Sequence, residues 1–272
     1  MPPARPRVIA TDLDGTLLRS DGTVSDRTVS SLNNAAAAGI LTILVTARPP
    51  RWLHDLAHVV GEHGVAICAN GAFVYDVVAR RVTEAHVFDP SLLARVVAEL
   101  RAVIPGIRFA AESPSGCTVE PGWPDPHRDA ASGRARRERI EEVVLSPAAA
   151  DGVGKLLALA PGIAVEDFFA AVSVTVGQRA LLAYSGATGL AELNPPGVTK
   201  AAGLERWCRE RAIAAADVWA FGDMPNDIPM LRWAGRSFAV ANAHNEVHAI
   251  ATHSCPSNDE DGVARVIDAV LG

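Results

Sequence analysis

The feature that most constrains the fold is the run over residues 7–13, nearly continuous in apolar residues and ending in the acidic sequence Asp12-Leu13-Asp14-Gly15-Thr16-Leu17. A short apolar run without polar alternation has both faces buried, which is the condition of a strand inside a parallel sheet. Parallel neighbours need crossover connections, usually helices, and the following residues supply them. Ser25 caps an expected helix that runs to residue 38 and stops at Gly39. Residues 41–46 read as a second buried strand, residues 50–61 as a helix and residues 65–68 as a third strand. This alternation is that of an open parallel sheet covered by helices on both faces. It returns near the C-terminus: a helix over 199–213, a strand at 218–221, a helix at 227–233, a strand at 237–240 and a helix at 262–271.

Between these halves the texture changes. Helices are expected at 90–103 and 147–159, an alternating strand at 172–176, and a polar stretch rich in Pro and Gly at 113–139. The chain therefore reads as an α/β core, residues 1–84 with 191–272, into which an α+β module over 85–190 is inserted. With 272 residues, 49% of them hydrophobic, it can bury a core in each part.

The 25 basic and 31 acidic residues leave a formal net charge of −6, which argues against nucleic acid as a partner. An anionic ligand must then meet a local positive site, either a metal or a helix N-terminus. Cys68, Cys117, Cys208 and Cys255 lie far apart without a C-x-x-C pair, so neither a zinc site nor a redox motif is expected. The longest apolar stretch, residues 35–47, is broken by Gly39 and two threonines, and it falls short of the roughly 20 residues that span a bilayer. With no apolar signal region at the N-terminus, a soluble cytoplasmic protein is expected.

In extended chain, residues two apart point to the same side, so Asp12 and Asp14 can face the crevice beyond the strand ends where open α/β sheets bind ligands. Two close carboxylates repel, which calls for a cation beside them. Gly15 permits a tight turn whose N–H groups can face an anion. The segment Gly222-Asp223-Met224-Pro225-Asn226-Asp227, after a second strand, brings two more carboxylates to the same edge. An all-oxygen cluster of this kind suits Mg²⁺. Thr46, followed by Arg48, ends another strand, and Lys200 opens a helix where its ammonium and the helix dipole favour phosphate. Together these groups read as a phosphoryl-transfer site. A carboxylate can attack phosphorus without a base to activate it, while Lys200 and a metal neutralise the phosphoryl oxygens.

In order and spacing, DLDGTL, VTAR, NPPGVTK and GDMPNDIPML resemble the motifs of the haloacid dehalogenase superfamily. The large insert between the second and third, the CANGA hairpin and the tail ANAHNEV…EDGVARVI are similar to its Cof-type branch. The resemblance implies a Rossmann-like parallel-sheet core with an inserted α+β cap that selects substrate. It also implies an Mg²⁺-dependent phosphatase acting on sugar phosphates or similar small phosphorylated metabolites through an aspartyl-phosphate. Carried over by position, Asp12 is the nucleophile, and Asp14 the acid that protonates the leaving oxygen and then the base that activates water. Thr46, Lys200 and Asn226 hold the phosphoryl group. Mg²⁺ is bound by the side chains of Asp12 and Asp223 and the backbone carbonyl of Asp14, and Asp227 orients these ligands or Lys200. Arg48, Asn70 and Gly71 match positions near the substrate.

Two departures stand out: Ala47 replaces the family's usual glycine, and Met224-Pro225 replaces a glycine-containing pair. Both bear on substrate geometry and leave the catalytic side chains in place. A phosphomutase and a receiver-like phosphate switch are the alternative readings; the second acidic pair and the insert favour turnover. No G-x-G-x-x-G follows the first strand, which disfavours a dinucleotide-dependent enzyme. His54 and His58, like His244 and His248, have a helical spacing that can bind zinc, but no third ligand is apparent. The arginine-rich run 134–139 reads as a solvated segment. The expected partner is a small phosphorylated metabolite, with neither nucleic acid nor membrane, and the sequence leaves monomer and homodimer open.

Overall fold

Strand β1 (Val8–Thr11) is fully buried at all four residues, as an uninterrupted apolar run requires of a strand with neighbours on both sides. The computed structural model describes residues 5–56, 59, 64–124, 135–145, 151–183 and 189–272. Helix α1 (Asp26–Ala37) starts where the Ser25 hydroxyl accepts the Thr28 N–H at 3.0 Å, and leads to β2 (Leu41–Val45). Over residues 50–56 the expected helix is not formed, although residue 59 is helical. Two 3₁₀ turns, Pro50–Trp52 and His54–Leu56, stand there instead. The spacing explains the difference: the buried residues Pro50, Leu53 and Leu56 are three apart, and three residues per turn puts them on one side. Strand β3 (Val65–Cys68) then pairs antiparallel with β4 (Phe73–Asp76), which precedes β5 (Arg81–Ala85).

The chain next enters a second compact unit, Ala85–Val198. It comprises α2 (Pro90–Val103), β6 (Arg108–Ser113), β7 (Gly116–Val119), β8 (Ala135–Arg137), α3 (Ile140–Leu145), β9 (Lys155–Leu159), α4 (Val165–Val176), β10 (Leu181–Ala183) and β11 (Ala191–Asn194). Among the described residues its sheet has the order β10-β11-β9-β6-β7-β8. Leu100 and Val96 of α2 and Phe168 and Val172 of α4 pack with Phe109 and Leu156 into one core.

Three expectations are corrected here. Residues 172–176, read as a strand from their β-branched alternation, form the last turns of α4, which buries Phe168, Val172 and Val176 at helical spacing. Residues 155–159, read as the end of a helix, form β9, hydrogen-bonded on both sides to β6 and β11. Residues 191–194, assigned from sequence to the parallel core, are the β11 partner of β9.

Past this unit come α5 (Lys200–Glu210), β12 (Val218–Gly222), α6 (Ile228–Trp233), β13 (Arg236–Val240), α7 (Asn245–Ile250), β14 (His253–Cys255) and α8 (Gly262–Leu271). With Met1–Glu84 they complete the first unit. Its described strands form one sheet in the order β14-β13-β12-β1-β2-β3-β4-β5. From β14 to β3 every neighbouring pair is parallel. Val8 and Ala10 of β1 pack with Leu204 and Trp207 of α5 and Met230 of α6. Helix α1 packs against α8. No helix among the described residues is long and apolar enough to cross a membrane.

Candidate active site

The chain steps from β1 to β2 and β3 on one side of β1, and from β12 to β13 and β14 on the other. The direction therefore reverses between β1 and β12, and open α/β sheets bind ligands in the crevice at that switch point. Asp12 leaves β1 there, its N–H donating to the Phe221 carbonyl of β12 at 3.0 Å. The buried Asp12 side chain accepts from Lys200 Nζ at 2.8 Å, and the same ammonium donates to Asp227 Oδ1 at 2.7 Å. The other Asp227 oxygen accepts the N–H groups of Asp223 (3.1 Å) and Met224 (3.0 Å). This fully buried carboxylate thus ties Lys200 to the loop after β12. Asp223 Oδ1 in turn accepts from the Thr16 hydroxyl at 2.8 Å.

One oxygen each of Asp12, Asp223 and Asp227 lies within 4.8 Å of the others. Three buried carboxylates around one ammonium leave an excess of negative charge. Burial pushes the Asp12 carboxyl well above its usual range; Lys200 opposes the rise, and the charges of Asp227 and Asp223 add to it. Burial, reinforced by Asp227, lifts Asp223 to about 6. For Lys200, burial alone would lower the ammonium, but Asp12 and Asp227 outweigh it and hold it above its ordinary value. An all-oxygen donor set short of positive charge is what a hard divalent cation fits, so the cluster could hold a metal such as Mg²⁺.

Asp14 lies in a different setting. Its backbone (φ −73°, ψ 121°) and that of Gly15 (φ 76°, ψ −4°) form a type II turn, closed further on by the Leu18 N–H on the Leu13 carbonyl at 2.8 Å. A side chain at residue 15 would be strained by that φ and would place its Cβ 2.4 Å from Asp223 Oδ2. The Asp14 side chain is 57% exposed and meets Arg48 through two bonds, Nε to Oδ2 at 2.8 Å and Nη2 to Oδ1 at 2.5 Å.

Arg48 follows Thr46, whose hydroxyl accepts the Arg48 N–H at 3.0 Å. The Thr46 and Arg48 carbonyls accept the N–H groups of Asn70 (3.0 Å) and Ala69 (2.9 Å), stitching the loop after β2 to the turn after β3. Buried Asn70, at φ +59°, accepts from Asn226 Nδ2 at 3.5 Å. The buried Oδ1 of Asn226 has no partner among the described residues. Gly71 (φ +102°) lies against the backbone of Thr199, where an added Cβ would sit 2.2 Å from the carbonyl oxygen. That close approach seats the first turn of α5, and with it Lys200.

Asp12, Lys200, Asp223 and Asp227 are thus one hydrogen-bonded cluster, Asp14 and Arg48 form a pair, and Thr46, Asn70 and Asn226 line adjoining loops. The sequence reading gave no part to Thr16, although it sits inside the first motif; a hydroxyl beside a turn glycine was the available signal. His244 caps α7, its Nδ1 accepting the Glu246 N–H at 3.3 Å, while His58 and Arg134 lie outside the described residues.

The sequence model of the haloacid dehalogenase-like hydrolases matches residues 9–267. The pyridoxal phosphate phosphatase YbhA of Escherichia coli (strain K12) is 27% identical over 279 residues, covering 96% of this chain and 97% of that protein. The 5-amino-6-(5-phospho-D-ribitylamino)uracil phosphatase YwtE of Bacillus subtilis (strain 168) is 24% identical over 285 residues, covering 97% and 98%. Among solved structures, that of SMU.1108c from Streptococcus mutans UA159 shares the fold with a TM-score of 0.81 at 24% identity, over 98% of this chain and 99% of that one. The family match runs from β1 into α8 and takes in every residue of the carboxylate–lysine cluster, so the chain belongs to the haloacid dehalogenase-like hydrolases.

Proposed function

We propose that the protein is an Mg²⁺-dependent phosphomonoester hydrolase of small phosphorylated metabolites, acting in the cytoplasm through a phosphorylated Asp12. The observation that carries this reading is the buried Lys200 ammonium held between Asp12 and Asp227, at 2.8 and 2.7 Å, beside the Asp223 carboxylate at the switch point of the sheet.

In the first step an Asp12 oxygen attacks phosphorus and the bond from phosphorus to the ester oxygen breaks. Asp14 gives its proton to that departing oxygen. In the second step Asp14 takes a proton from water, the water oxygen attacks the acyl phosphate, and phosphate leaves with Asp12 restored. Lys200 keeps the Asp12 carboxylate aimed and neutralises phosphoryl oxygen charge, and Thr46 and Asn226 supply further hydrogen bonds. The incoming phosphate offers Arg48 another anion and so releases the Asp14 carboxyl from that pair. Asp12, Asp223 and the Asp14 carbonyl would hold Mg²⁺, which would supply charge that offsets the phosphoryl oxygens. In this reading Ala85–Val198 is the cap that selects the substrate.

The test is phosphate release from p-nitrophenyl phosphate, a panel of sugar phosphates and pyridoxal phosphate, with Mg²⁺ or with EDTA. Release that needs the metal and disappears in Asp12→Asn supports the reading. Release that survives in Asp12→Asn removes Asp12 as nucleophile, and no release from any member removes the phosphatase.

A further inference from the structure

The turn that carries Asp14 is gripped by a C-terminal segment to which the chemistry above gives no part. Asn242, two residues past β13, donates its Nδ2 N–H to the Gly15 carbonyl at 2.7 Å. Its Oδ1 accepts the backbone N–H of Asn258 at 3.0 Å. These two partners settle the amide's orientation, since a flipped amide would set oxygen against oxygen and N–H against N–H. Asn258, itself buried, donates to the Leu18 carbonyl at 2.9 Å. The grip continues outward: Asp259 accepts the Ser20 N–H (2.8 Å) and hydroxyl (2.7 Å), and Asp261 takes Arg19 through Nη2 at 2.9 Å. Residues 258–261 thus hold residues 18–20, while Asn242 reaches in to Gly15.

We infer that Asn242 is a positioning residue for the reaction, fixing through the Gly15 carbonyl the turn that presents Asp14. Glycine has weak torsional preferences of its own, so at Gly15 the orientation of the following peptide depends on what that peptide touches. Its carbonyl end is held by Asn242; at its other end Thr16 reaches Asp223. Asp14 is the residue immediately before. A swing of this peptide shifts the Thr16 hydroxyl relative to the Asp14 carboxyl, and misplacing reacting groups by about 1 Å can cost about 100-fold in rate.

The inference rests on the phosphatase reading, and its test separates the two. Asn242→Asp is isosteric at an exposed position: it keeps an oxygen for the Asn258 N–H but turns a second oxygen, not an N–H, toward the Gly15 carbonyl. Asn242→Ala removes both bonds. Kinetics are measured with p-nitrophenyl phosphate and with an alkyl phosphate such as a sugar phosphate, beside the melting temperature. Both variants are expected to lose about 10- to 100-fold in kcat with KM within about twofold. The loss should be larger for the alkyl ester, whose leaving oxygen needs the Asp14 proton more. Arg27→Ala, which breaks an exposed pair with Asp268 remote from the turn, should cost stability and leave kcat alone. Unchanged kcat in both Asn242 variants would overturn the inference, as would an equal loss on both esters that merely tracks melting temperature. No phosphate release from either ester by the unaltered protein would show that the phosphatase reading itself had failed, taking the inference with it.

Discussion

Lys200 is 2% exposed and shares its protons between two carboxylates. An ammonium buried this deeply is kept charged by its partners, and they depend on it equally. Lys200→Met, close in volume, would leave Asp12, Asp223 and Asp227 buried together without it. Breaking a buried ion pair from one side costs about 3–5 kcal/mol, so urea denaturation of the variant should show a loss of that order in metal-free buffer. Catalysis should fall by at least about 100-fold, the usual effect of removing one preorganised group that stabilises developing charge. A variant as stable as the parent would mean that the carboxylates already take up protons in its place. The sequence showed this cluster because both acidic segments and the lysine carry recognisable neighbours. It did not show that the Asp14 side chain meets Arg48 and not the cluster, since that pairing turns on Asp14's own torsions and on where the loop after β2 places Arg48.

Helix α5 brings Lys200 to the site only because its first turn can approach the backbone of Gly71. Gly71→Ala would combine a strained φ of +102° with a Cβ 2.2 Å from the Thr199 carbonyl oxygen. Backbone strain and overpacking together should cost about 2–4 kcal/mol, seen as a lower urea midpoint. With the helix displaced, kcat should drop by about tenfold or more; unchanged stability and kcat would show that α5 has freedom to shift. The close approach was not legible in sequence, where Gly71 was matched only to positions near the substrate. The parallel strands were legible because continuous apolar runs have few other uses: β1, β2 and β12 lie where those runs do. Two of the misread elements share one cause. Residues 155–159 are helix formers placed between two strand partners, and residues 172–176 are strand formers whose Val172 and Val176 complete a helical stripe while Val174 is 85% exposed. Intrinsic preferences of up to about 1 kcal/mol per residue yield to pairing and burial of that extent.

For the molecule as a whole, the buried carboxylates tie stability to pH and, under the proposed function, to metal. Burial raises Asp223 from an ordinary 3.8 to about 6, and Asp12 also lies above its usual range. A group whose folded-state pKa is raised lends stability that is complete below its unfolded value and is lost as pH climbs through the folded one. For Asp223 that window runs from near pH 4 to above pH 6. Metal-free protein should therefore lose several degrees of melting temperature between pH 5 and pH 7, beyond any change in Asp223→Asn, which lacks this titration. The proposed Mg²⁺ would bind the ionised form, so it should stabilise the parent more at pH 7 than at pH 5, by an amount that grows with the logarithm of its concentration. In Asp223→Asn the increment should shrink at both values. Thermal melts of both proteins across this range, with EDTA or with graded Mg²⁺, measure each part. Parallel pH curves for parent and variant would show that Asp223 does not carry the linkage. A magnesium increment equal in the two proteins would remove Asp223 from the metal site while leaving the fold of the cluster intact.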